Sequence, residues 1–202
     1  MLKQEWDITK ILHKTSNQIM KKIYLTYIGV ISLILFASFT RIIPHMPNFT
    51  PIGAMALFGG AYLSNKYHAF IIPILSLWFS DLIINNFILN YYDQFTLFYP
   101  GFIWQYASFW IIILLGYFLL KKITLKKVLM TSIGSSLIFF VITNFGVWAS
   151  GSMYPLNING LISCFVLAIP FYKGTLLGFL FYSSFLFGVF EMSKLNKNPI
   201  KI

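Results

Sequence analysis

Residues 41–63 read R-I-I-P-H-M-P-N-F-T-P-I-G-A-M-A-L-F-G-G-A-Y-L, a loop with three prolines that runs directly into an apolar, Gly/Ala-rich segment. Pro44, Pro47 and Pro51 remove three backbone donors and bias each preceding residue toward extended geometry, so residues 44–51 form no regular helix. Residues 51–63 number 13, about 20 Å of helix at 1.5 Å per residue, against a hydrocarbon core of roughly 30 Å. Irregular backbone at membrane depth survives only where it is packed in protein or lines a wet cavity. The stretch therefore predicts an internal site open to one side.

The rest of the chain says that its solvent is lipid. Hydrophobic residues make up 58% and charged ones 10%, with mean hydropathy +0.76, well under half the charged fraction of about 25% usual in soluble domains. Apolar runs occupy 23–39, 51–63, 70–89, 103–120, 128–149 and 174–192, with an 11-residue run at 161–171 that ends near Pro170. This predicts an all-α integral membrane protein of six transmembrane helices with one short re-entrant or interfacial helix. Residues 1–20 read as a cytoplasmic segment, 21–193 as one membrane domain and 194–202 as a cytoplasmic tail. Run 23–39 has a cationic flank, but no A-x-A cleavage pattern follows before Arg41, so it reads as an uncleaved first helix.

The net charge of +10 raises the question of nucleic acid. With the N-terminus in the cytoplasm and six crossings, 13 lysines fall inside and only Arg41 and Lys173 outside. That asymmetry follows the positive-inside rule and places the protein in the cell (inner) membrane with both termini cytoplasmic. The lysines flank separate spans rather than one compact face, which argues against nucleic-acid binding.

Three places hold the polar residues that matter. In S-L-W-F-S-D-L-I-I-N-N-F, Asp81 lies near the middle of the third run, with Asn85 one turn on. A carboxylate at that depth costs on the order of 3 kcal/mol unless paired, hydrated or protonated, so it faces inward, either in a polar pocket or ion path or in an interhelical clamp. His45, Asn48 and Phe49 sit in the proline loop, where they offer donors, acceptors and an aromatic wall for a ligand. Thr50-Pro51 reads equally as N-cap and first residue of the second helix. At the end of the fifth run, Asn144 and Trp148 share a face, and Trp148 and Tyr154 are candidates both for the site and for the interfacial aromatic belt.

The single cysteine, Cys164, reads as a buried structural thiol. His13, His45 and His68 fall on different sides or spans, which leaves no metal-ligand spacing, and no cofactor motif occurs. Nothing resembles a Walker A loop, a nucleophile elbow or a zincin helix, so the chain reads as a non-enzyme whose energy source lies elsewhere.

The strings R-I-I-P-H-M-P-N-F-T-P-I-G-A-M-A-L-F-G-G-A-Y, S-D-L, T-N-F-G-V-W-A-S-G-S-M-Y-P and A-I-P-F-Y-K-G-T-L-L-G resemble a bacterial family of multi-pass membrane proteins of unknown function, over most of residues 23–190. More loosely, the layout of six helices and a P-N-F-T-P loop entering a G-G-A-Y-L helix is similar to the substrate-binding S components of energy-coupling-factor vitamin importers. That resemblance implies a vitamin-like ligand near the external face, bound through His45, Asn48, Phe49, Asp81, Asn85, Asn144, Trp148 and Tyr154. It also implies a coupling membrane subunit with ATPases as partner. The first helix offers only Gly29, Ser32 and Ala37 where those proteins carry an A-x-x-x-A docking pattern. The alternative is a structural or assembly membrane protein without transport activity.

Overall fold

The computed structural model describes the backbone of residues 2–43, 45–63, 65–89 and 92–197, and the side chains among them except at 2–14, 19, 22 and 195–197. Expectations for Pro44, for the side chains of residues 1–14 and for residues 198–202 lie outside the described residues.

Six helices make up the described chain: α1 (Leu2–Thr40), α2 (Ile52–Tyr62), α3 (Lys66–Ile83, closed by a π-helical turn at Ile84–Ile88), α4 (Phe102–Leu119), α5 (Leu125–Ala149) and α6 (Ile158–Lys197). Five of them contain stretches long and apolar enough to cross a membrane: Thr15–Thr40, Lys66–Ile88, Phe102–Leu119, Leu125–Ala149 and Ile158–Lys194. The outer faces are correspondingly greasy. Phe36, Phe79, Trp110 and Phe181 are 54–59% exposed, an apolar surface suited to acyl chains rather than water.

The short helix α2 is the exception in both length and place. Every residue from Ile52 to Gly60 is buried, and α2 touches all five other helices, as expected of a helix apolar on every side. Its glycines set how close the neighbours come. A Cβ on Gly60 would overlap the Ile113 carbonyl oxygen of α4, and one on Gly116 would overlap the Leu57 carbonyl. Such backbone contact is the usual packing mode of helices in lipid, where small residues replace the hydrophobic drive available in water.

Contacts fix the directions. The Tyr27 hydroxyl accepts from the Asn65 backbone N–H at 2.9 Å, and Arg41 meets Asp81 at 2.6 Å. Helices α1 and α3 therefore run the same way, and the 41–50 loop with α2 brings the chain back between them. Helix α5 returns along α4 through the Phe109–Phe139 and Trp104–Phe145 ring pairs. Lys21, Lys66, Lys121, Lys122, Lys126, Lys127 and Lys194 consequently gather at one end of the bundle.

Two expectations are corrected. Residues 161–171 are no separate re-entrant piece, because α6 runs unbroken through Pro170. A proline removes one helical hydrogen bond, and contacts with α5 hold the segment in line: Cys164 Sγ donates to the Asn144 carbonyl at 3.4 Å and the Phe140 and Tyr172 rings lie 5.0 Å apart. Residues 2–20 are helical and continue directly into the rest of α1. Finally, Thr50 does not cap α2. Pro51 occupies the N-cap position, its carbonyl accepts from Met55 N–H at 2.9 Å, and no side chain caps the helix.

Candidate functional site

A small cavity of about 170 Å³ lies between the 41–50 loop and the middle of the bundle. Its polar lining comes from Arg41 at the end of α1, Asn48 and Thr50 in the loop, Gln105 on α4 and Thr175 on α6. Phe109, Phe139 and Phe179 supply the apolar wall. Four elements and the loop thus converge on one point.

Local chemistry explains how the loop reaches it. Asn48 has φ +61°, a left-handed conformation that asparagine adopts at less cost than most residues. Phe49 N–H bonds to Met46 O and Thr50 N–H to Asn48 O, both at 3.0 Å, closing a tight reversal. Two glycines of α6 then let this backbone lie against the helix. A Cβ on Gly174 would overlap the Pro47 carbonyl, and one on Gly178 would stand 2.9 Å from Thr50 N. The Phe49 ring pins the loop from outside, 5.6 Å from Phe181 and 5.3 Å from Tyr182.

Beside the cavity sits the charged centre of the molecule. Arg41 Nη2 donates to Asp81 Oδ1 at 2.6 Å, with side chains only 11% and 9% exposed. Nη1 donates to Ser80 Oγ and, at 3.5 Å, to the Leu77 carbonyl. Tyr106 donates to Asp81 Oδ2 at 3.2 Å. An unpaired carboxylate would be costly at this depth, and the guanidinium neutralises it while being held in turn by α3. Arg41 Nε is buried and has no acceptor among the described residues; the same holds for Tyr99 Oη and Trp78 Nε1. Burial and the nearby Asp81 carboxylate push the Tyr99 phenol, in the loop before α4, above its usual range, which keeps it a donor.

The residues expected from the sequence divide into groups. Asn48 lines the cavity, Phe49 braces the loop over it, and Asp81 anchors Arg41 at its edge. His45 is exposed, with Nδ1 2.6 Å from Ile43 O, and faces a shallow outer groove with Phe181 and Phe185. Asn85 lies half-buried in the π-helical turn that closes α3.

Asn144, Trp148 and Tyr154 form a separate group where α5 meets α6. Asn144 Nδ2 donates to Phe140 O at 2.7 Å within α5, and Trp148 Nε1 donates to Pro155 O at 3.1 Å, which ties down the 150–157 loop. Tyr154 is half-buried in that loop.

Sequence reasoning missed Arg41 as the partner of Asp81, and missed Gln105, Thr175, Tyr99 and Tyr106 altogether. It also passed over Asn86, whose amide accepts from Thr96 N at 2.6 Å and donates to Thr96 O at 3.0 Å, fastening the 92–100 loop to α3. One signal was available for Arg41. A lone external arginine and a lone membrane acid each need a partner, and each is the other's simplest one.

No curated protein and no solved structure matches the chain. The model of a family of unknown function (DUF6580) matches residues 21–200, and the chain belongs to that family.

Proposed function

We propose that the protein is a membrane-embedded solute-binding subunit of a micronutrient uptake system, similar in role to the S components of vitamin importers, and that its solute occupies the cavity under the 41–50 loop. The observation that carries this reading is the lining itself. Exposed Asn48 and half-buried Gln105 and Thr50 bring two amides and a hydroxyl to a common space against three phenylalanine rings, beside Arg41, whose buried Nε has no partner among the described residues. Polar groups that converge from several elements against an apolar wall are what a binding site for a polar ligand looks like.

The charge balance narrows the solute. Asp81 already meets Arg41, so an ionic ligand would leave one net charge uncompensated at low dielectric. A neutral solute bearing amide or hydroxyl groups fits. At about 170 Å³ the cavity lies below the roughly 300–1,000 Å³ of pockets for drug-sized ligands. A vitamin-sized cargo therefore enters only with the loop raised, and the closed form suits something smaller. In this reading α2 with its loop completes a sixth crossing, the lysine-rich end faces the cytoplasm of the inner membrane, and the cavity opens outward. The chain binds and gates, and a coupling membrane subunit with ATPases supplies the energy.

One observation favours the structural alternative for part of the site. Asp81, with Arg41 and Tyr106 on its two oxygens, is accounted for as a clamp joining α1, α3 and α4 without any ligand.

Two variants separate the readings: Gln105→Leu removes an amide at similar volume, and Asn48→Gly removes one without straining a left-handed residue. A solute-binding subunit loses uptake or retained solute in both variants at unchanged melting temperature. Wild-type cargo and uptake in both variants would overturn the proposal.

A further inference from the structure

A second site lies at the lysine-rich end, on the lipid-facing side, between α1 and α6. The two helices approach at Gly29, where an added Cβ would stand 3.3 Å from the Phe190 ring. A groove of about 530 Å³ opens there, with Lys21 and Lys194 at its outer end and Leu25, Leu33 and Val189 along its inner length.

Its dimensions and charge select the occupant. On α1 the lining runs from Gln18 to Leu33, about 22 Å, and its apolar part from Leu25 to Leu33, about 12 Å, lies within the roughly 15 Å hydrocarbon depth of a single leaflet. Two lysines above an apolar wall complement an anionic headgroup carried on an acyl chain. Among the described residues the one neighbouring acid at the head end is Glu191, whose carboxylate already accepts from Tyr62 at 2.5 Å and from Lys194 at 2.9 Å. Lys194 also lies 4.4 Å from the Tyr62 ring centroid, which fixes its place, and its ammonium retains donors beyond the one given to Glu191. With Lys21 it leaves a net positive charge at headgroup level.

We propose that this groove is a binding site for an anionic phospholipid, its headgroup phosphate on Lys21 and Lys194 and one acyl chain along Leu25, Leu33 and Val189. Lipid is held here by paired cations and an apolar slot within one leaflet, rather than merely coating the surface. The site is independent of the solute cavity.

The test uses full-length protein stripped of lipid in detergent and titrated with phosphatidylglycerol or phosphatidylcholine carrying the same acyl chains, read by native mass spectrometry. The wild type should retain phosphatidylglycerol at least about 5-fold better than phosphatidylcholine. Lys21→Gln should bring the ratio close to one, Leu33→Trp should block retention of both by filling the slot, and Lys126→Gln, at the same end but outside the groove, should change nothing. Lys194→Gln should act like Lys21→Gln; if it fails to fold because Glu191 loses its partner, the Lys21 and Leu33 variants still decide. Equal retention of the two lipids, an equal effect of Lys126→Gln, or displacement by free glycerol phosphate would each overturn the proposal, the last by showing a headgroup site without a chain slot.

Discussion

Arg41→Met is the perturbation whose consequence follows most directly from the geometry. Arg41 lies 89% buried by side chain and is Asp81's only ionic partner among the described residues, while Tyr106 supplies a neutral hydrogen bond at 3.2 Å. Removing one member of a buried ion pair leaves the other uncompensated and costs about 3–5 kcal/mol. Asp81→Asn should cost less, about 2 kcal/mol, because the amide oxygen still accepts from Arg41 and the guanidinium keeps Ser80 and the Leu77 carbonyl. Replacing both, Arg41→Met with Asp81→Leu, removes both charges together and should lie within about 1–2 kcal/mol of the wild type. Unfolding in mixed micelles at increasing denaturing-detergent fraction measures the wild type, Arg41→Met, Asp81→Leu, which strands the guanidinium and should also cost about 3–5 kcal/mol, and the double variant, with Asp81→Asn alongside. A coupling energy of at least about 2 kcal/mol is expected between the two positions. If the double variant is as unstable as the sum of the single changes, the pair is not the clamp described here.

Three further outcomes are expected. Gly60→Ala and Gly116→Ala should each destabilise by about 1–3 kcal/mol in the same unfolding assay, since the new methyl meets backbone, whereas Gly134→Ala, facing open space, should be neutral or stabilise by up to about 1 kcal/mol. Thr50→Ala should change stability by less than about 0.5 kcal/mol because no cap bond is lost, yet lower solute retention. In a Cys164→Ser background, a membrane-impermeant maleimide should label a cysteine placed at Ser152 in intact cells and spare one at Thr124, and the reverse pattern would invert the orientation.

Hydropathy alone made the long apolar helices legible, along with the short α2 and its proline loop, because lipid enforces length and backbone satisfaction so strictly. The continuity of α6 was hidden by Pro170 and Lys173, which interrupt the apolar pattern locally, while the contacts that keep the helix straight come from α5. Thr50-Pro51 looked like a cap and first turn because that dipeptide usually is one. Here the reversal at Asn48 and the close approach to Gly174 and Gly178 override it. Asp81 announced itself by its cost in lipid, but the identity of its partner, 40 residues away, depended on how α1 and α3 lie together. Gln105 passed unnoticed within an apolar run, since a single amide there has no periodic signature. Asn144, Trp148 and Tyr154 were grouped with the loop by their place near the same end of the bundle, and the fold gives them a separate cluster at the α5–α6 junction.

The central claim, that the cavity under the 41–50 loop holds a solute, is tested most directly by native mass spectrometry and visible absorption of the full-length protein purified gently from its own host. The account predicts one small neutral molecule per protein chain, released on denaturation and missing from Gln105→Leu protein prepared in the same way. Wild-type protein that carries lipid alone, with the same spectrum as Gln105→Leu, would contradict it.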